Sequence, residues 1–179
     1  MRLAAVLLAL LLFPVMSFAQ SEPKSATVTA SAQVILGLKV EGVEPLQLDE
    51  IMAGEAKAVN LDGSATGASV TGNERAGKFK ITTQGSFMLE FSEVPTAMIG
   101  PGGAQMPVSF TSGWSLNQAP PSAGSNALMV GGGRSAVRIN SSAATDVYIF
   151  LGATVVPPVS QTEGLYETRI VLTATFGVD

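Results

Sequence analysis

Residues 163–178, close to the C-terminal end, constrain the fold more than any other stretch. Tyr166, Ile170, Leu172, Ala174, Phe176 and Val178 share one parity, and Glu167, Arg169, Thr173 and Thr175 share the other. Successive side chains of an extended chain point to opposite faces, so this alternation predicts a strand with one buried and one wet face. Ile, Val, Thr, Tyr and Phe suit a pleated surface, and no proline interrupts the ladder. Gly164 supplies the turn that feeds the strand. A long regular strand must be paired, because an open edge invites association. The functional question therefore concerns strands and their partners.

A second alternating stretch opens the region that follows the N-terminal segment. Ala26, Val28, Ala30, Ala32, Val34, Leu36, Leu38 and Val40 fall on even positions, with Thr27, Thr29, Ser31, Gln33 and Lys39 between them. Ile35 and Gly37 break the pattern, and Gly37 is expected to bend or bulge the chain and split it into two strands. A helix of 3.6-residue period would scatter these positions around its axis.

Ahead of this strand, Arg2 is followed by an apolar run from Leu3 to Val15 that is broken by Pro14, and then by Ser17-Phe18-Ala19. A charged start, a short apolar run and small residues at the −3 and −1 positions predict a secretory signal peptide over residues 1–19, cut before Gln20. The run is short for a bilayer span of about 20 residues. Residues 20–25 are polar, include Pro23, and are expected to be a flexible tether to a single domain over residues 26–179. The protein is thus expected to be exported, to the periplasm, the cell surface or the medium.

Composition narrows the function classes. Of ten Lys and Arg, Arg2 falls in the leader, leaving nine against fourteen Asp and Glu and a net charge near −5. Charged residues make up 13%, about half the usual share of roughly 25%. A mildly acidic, charge-poor surface gives no reason to expect nucleic acid or an anionic membrane as partner. The absence of cysteine and histidine removes disulfides, the softer transition-metal ligands and the base of most nucleophilic triads. No cofactor, metal or catalytic residue is expected.

Between the two alternating stretches lie short strand patterns. Residues 45–48 and 56–61 flank the Ala53-Gly54 turn, and residues 63–77, rich in Gly, Ser, Thr and Ala, suggest weak edge strands. Residues 78–83 and 87–91 are expected to form a hairpin about Gln84-Gly85-Ser86. Residues 95–107 and 117–126 are expected to be loops, with a strand over 108–116 that holds Trp114. Further strands are expected over 127–130, 136–139 and 147–156 before Pro157-Pro158. Some nine or ten short strands and no helix after the leader predict an all-β, antiparallel β-sandwich.

Taken in order, these features resemble a known family. The features are the Ala/Thr/Val strand of residues 26–34, Ile35 to Val40, the Leu46-Gln47-Leu48 strand and the Ala53-Gly54 turn. Gly77-Lys78-Phe79-Lys80-Ile81, Val108-Ser109-Phe110 and the Gly164-Leu165-Tyr166-Glu167-Thr168 start of the last strand complete the set. The pattern resembles exported bacterial pilin-like domains of unknown function, which are similar to secreted pilin and spore-coat-like β-sandwich proteins. The resemblance implies a single immunoglobulin-like sandwich of the chaperone–usher kind. There a subunit lacks one strand, the N-terminal extension of its neighbour fills the groove, and the last strand lines it. The chain departs from the pilin pattern in lacking a disulfide and in having three residues after Phe176.

On that basis Ala26, Val28, Ala30, Ala32 and Val34 are the candidate strand-exchange interface. Tyr166, Ile170, Leu172, Ala174 and Phe176 are the candidate groove-lining residues. Burying two Val and three Ala releases on the order of 5 to 8 kcal/mol before costs, and strand addition is an established mode of association. The same pattern also suits an ordinary first strand paired inside its own sandwich. Other candidates are weaker. Asp49, Glu50 and Asp62 lack the spacing of a calcium loop. Tyr148, Tyr166 and Trp114 could stack on a sugar but sit within strand patterns, and Asn140-Ser141-Ser142 matches a glycosylation sequon. Gly131-Gly132-Gly133 precedes a strand and not a helix, so it makes no phosphate cradle. Few carboxylates remain for acid–base work of the glycosidase type. The expected role is a non-enzymatic subunit assembling with itself or with other surface proteins. The alternative is a monomeric module that binds a glycan or surface component through the loops of residues 95–107 and 117–126.

Overall fold

The computed structural model describes residues 26–33, 37–67, 69–122, 125–140 and 143–177. The expected leader and tether, Val34 and Val178 lie outside these residues, as do Ser141 and Ser142 of the sequon. Among the described residues the regular secondary structure is almost entirely strand, and no helix is long and apolar enough to cross a membrane. Thirteen strands follow one another: β1 (Ala26–Gln33), β2 (Lys39–Glu44), β3 (Leu46–Asp49), β4 (Lys57–Val59), β5 (Ala65–Gly67), β6 (Gly77–Thr83), β7 (Phe87–Glu93), β8 (Ala97–Ile99), β9 (Gln105–Ser115), β10 (Ala127–Leu128), β11 (Arg134–Val137), β12 (Thr145–Val155) and β13 (Tyr166–Phe176).

These strands form two layers around one core. In the first, β13 lies between β1 and β7, β3 continues beyond β1, and β11 continues beyond β7. In the second, β12 lies between β9 and the collinear pair β6 and β4, with β2 beyond β6, β5 beyond β4 and β10 beyond β9. Strand β9 belongs to both layers. Gln105–Pro107 pair with β8 in the first layer, and from Val108 onward the strand pairs with β12 in the second. A strand that changes sheet at a corner is how such layers join.

Alternation built this core as the sequence implied. Phe79 and Ile81 of β6, Val147, Ile149 and Leu151 of β12, and Ile170, Leu172 and Ala174 of β13 are fully buried, while their neighbours of the other parity are half-buried or exposed, apart from Phe150 of β12, which is buried beneath Lys78, and Gly152. The outward face of the second layer carries ion pairs, Lys78 with Glu44 and Lys80 with Asp146, each at 2.8 Å.

Two expectations fail, both for reasons of tertiary pairing. Residues 78–83 and 87–91 form no hairpin: β6 pairs with β12 and β2, and β7 pairs with β13 and β11. Residues 84–86 instead arch from one layer to the other, so that the buried faces of β6 and β7 meet across the core. A period of two reports that each strand has a buried face, and not whether that face lies beside or opposite its neighbour's. Residues 95–107, expected as a loop, hold β8, a 3₁₀ turn at Pro101–Gly103 and the start of β9. Met98 and Met106 from that stretch are buried, which offsets its high Gly and Pro content.

Candidate functional site

Strand β1 is held from both sides. Along one edge it runs parallel to β13, from Ala26↔Tyr166 through Ala30↔Ile170 to Gln33↔Thr173. Along the other it runs antiparallel to β3, with Thr27↔Gln47 and Val28↔Leu46. The β1–β13 ladder is the one parallel pairing among the described strands. Strands β3 and β13 do not pair with each other, so β1 alone bridges them. Withdrawing it would leave a slot open in the middle of the first layer, with unpaired main-chain groups on both walls.

The even positions of β1 share register with the buried parity of β13. Ala26, Ala30 and Ala32 stand beside Tyr166, Ile170 and Leu172, and these three β13 residues are 4%, 0% and 0% exposed. Ala174 is fully buried as well. Four of the five candidate groove residues therefore lie on the inner face, one strand away from β1. Phe176 differs. It is half exposed, and its ring lies where a side chain on Gly37 would stand: a Cβ there would collide with ring atom Cε2. Gly37 has φ of +82°, a left-handed conformation that glycine adopts without a steric penalty. The two strands expected on either side of Gly37 thus exist, and they belong to different layers.

The wall formed by β13 is supported along its other edge by β7 and β8. The wall formed by β3 has less support. Among the described residues its outer edge meets only a bridge to Arg75, with Gln47 N–H donating to Arg75 O at 2.9 Å and Arg75 N–H to Gln47 O at 3.0 Å. What fixes that segment is a buried ion pair beside it. The Lys57 ammonium of β4 lies 2.5 Å from Glu74 Oε1, and their side chains are 1% and 2% exposed. Lys57 also donates to the carbonyls of Glu50, at 2.7 Å, and Ser69, at 2.9 Å. Glu74 accepts from the N–H groups of Thr71, at 2.9 Å, and Gly72, at 2.8 Å. Burial alone would raise the Glu74 carboxyl; the Lys57 bond and these N–H groups outweigh it and bring it down to about 2. The pair clips a β4 residue of the second layer to the segment that braces β3 in the first.

The other candidates are scattered. Tyr166 is buried, its hydroxyl donating to Thr162 O at 2.7 Å and accepting from Gln161 Nε2 at 2.5 Å. Trp114 packs partly against the core opposite Ile149, whereas Tyr148 stands opposite Ser115 on the other parity. Tyr166 begins β13 at one end of the sandwich, and Trp114 and Ser115 end β9 at the other, so the aromatics form no common platform. The Asp62 carboxylate is taken up in a turn by the N–H and hydroxyl of Ser64, at 2.9 and 2.6 Å, while Asp49 accepts from the Thr71 hydroxyl. Among the described residues, the stretches 95–107 and 117–126 flank opposite ends of β9.

Sequence reasoning missed the Lys57–Glu74 clip. A signal existed: Lys57 shares parity with Val59, so any strand burying Val59 buries Lys57 too. Its partner sits in a low-complexity stretch with no periodicity to mark it. The chain matches no family model, and no curated protein shows a significant match to it.

Proposed function

We propose that this protein is an exported, non-enzymatic, pilin-like structural subunit that associates through β-strand pairing, with β1 as the strand that is exchanged. The observation that supports this reading is the placement of β1: among the described strands it alone joins β3 to β13, in the interior of a sheet. With the proposed leader cleaved, only residues 20–25 would precede β1, so the strand could leave its slot without unthreading another described strand. Its even positions, Ala26, Val28, Ala30 and Ala32, are small residues beside the Phe, Ile, Leu and Tyr that make up the core, so β1 has little apolar area to give up in leaving. The slot that remains suits the same segment from a second molecule equally well.

The loop-binding alternative has weaker support, because its two stretches flank opposite ends of β9. The test is the size of the mature protein as a function of concentration, with and without residues 20–33. Oligomers that vanish on deletion, and that return to a monomeric one-to-one complex when a peptide of residues 26–33 is added, support the proposal. A protein that is monomeric at every concentration, including after refolding from denaturant, contradicts it.

A further inference from the structure

The topology around β1 also decides what kind of assembly strand exchange produces; this inference rests on the exchange reading above. β1 starts beside Tyr166, at the end of the sandwich where β12 stops and β13 begins, and stops beside Thr173, toward the other end. The strand that follows, β2, starts at that second end, Lys39 pairing with Thr82 near the end of β6. The chain therefore leaves β1 and enters β2 at the same end of the molecule, beside Phe176 and Gly37. The link from Gln33 to Lys39 reaches about 20 Å when fully extended.

Suppose β1 of one copy occupies the slot of another in the register seen here. Its Gln33 then sits at the β2-bearing end of the acceptor. Its own body must follow within reach of the short link, and that body is attached through its own β2-bearing end. The two copies thus meet with like ends facing. The donor's slot is now empty, and its nearest source of a strand is the acceptor's β1, which leaves from the same facing end. A third copy would have to bring its β2-bearing end to a place already taken.

We infer that exchange of β1 in the observed parallel register yields a closed, two-fold symmetric dimer, each copy lending β1 to the other across facing β2-bearing ends, and not an open chain. Like surfaces meeting across a two-fold axis is the isologous arrangement, and reciprocal exchange of an identical element leaves no slot unfilled. An open filament would require the strand to enter in the reverse direction, antiparallel to β13, placing the donor at the opposite end of the acceptor.

The natural absence of cysteine makes this testable with one engineered pair. Thr27 and Gln47 are register partners on antiparallel strands, where paired positions have a Cα separation that a disulfide can bridge. The Thr27→Cys/Gln47→Cys protein, from Gln20 onward, is refolded from urea over a range of concentrations, oxidised with oxidised glutathione, and run on a non-reducing gel. The expected result is two bands, monomer and dimer, with the dimer-to-monomer ratio rising about tenfold for each tenfold rise in free monomer, and nothing larger. A ladder of higher species overturns closure while leaving strand exchange standing. A monomer band alone at all concentrations overturns both. Light scattering of the unmodified protein, refolded the same way, reads the same three outcomes without the substitutions: monomer and dimer masses support closure, larger masses refute it, and monomer alone refutes exchange.

Discussion

Replacing Lys57 by methionine tests the clip that braces one wall of the β1 slot. Methionine fills a similar volume without charge, so the variant leaves Glu74 buried without its ammonium partner and orphans the carbonyls of Glu50 and Ser69. Breaking a buried pair from one side costs roughly 3 to 5 kcal/mol, because the remaining charge stays uncompensated. With a urea slope of about 2 kcal/mol/M, that loss lowers the unfolding midpoint by about 2 M. Trp114, half buried against the core, is the sole tryptophan and reports the transition by fluorescence. Glu74→Leu is expected to cost a comparable amount, leaving the Lys57 ammonium with carbonyls alone. The double variant is expected to lose less than the two single losses combined, by at least about 1 kcal/mol, since neither buried charge remains. A Lys57→Met midpoint within about 0.5 M of the parent, or strict additivity in the double variant, would refute the assignment. The pH dependence follows with a definite sign. Glu74 is held at about 2 against an ordinary value of 4.5. Its contribution is therefore fully present above about pH 4.5 and is lost as pH falls through about 2, amounting to roughly 3 kcal/mol. Glu74→Gln removes that acid-side loss, so the midpoint of this variant changes less with pH than the parent's across the same window.

Two further substitutions probe the slot and the core. Gly37→Val places a β-branched side chain at φ of +82° and against the Phe176 ring, at a backbone cost of about 1 to 2 kcal/mol to the turn that returns the chain to its own β2. The dimer share seen by light scattering should rise at fixed protein concentration, and an unchanged share would show that this turn does not oppose exchange. Gly152→Ala brings a Cβ to 2.6 Å from Val59 O and 2.8 Å from Thr111 Oγ1, in the middle of β12 where backbone cannot give way. It should cost about 1 to 3 kcal/mol and lower the thermal midpoint by several degrees; a midpoint within a degree of the parent would place the neighbouring strands farther from Gly152 than described.

The amino-acid sequence by itself determined that this chain is all-β, which faces of most of its described strands are buried, and where β13, one of its three longest strands, lies. Alternation along residues 26–33, 77–83, 145–155 and 166–176 is a local property: each side chain's parity is set by the extended backbone, whatever the strand pairs with. Gly37 likewise marks a local need, a left-handed turn between two strands. Pairing is not local. Whether residues 84–86 make a hairpin or an arch depends on which strands claim the edges of β6 and β7, and β12 and β13, more than 60 residues away, claim them. The parallel ladder of β1 on β13, which sets the direction of any exchanged strand, joins opposite ends of the chain. The Lys57–Glu74 clip arises because two segments that look independent in sequence converge at one end of the sandwich, where a buried charge must find its counter-charge. Only the tertiary structure brings those partners together, because main-chain hydrogen bonding between strands is indifferent to side-chain identity and so leaves no mark in the sequence of either strand.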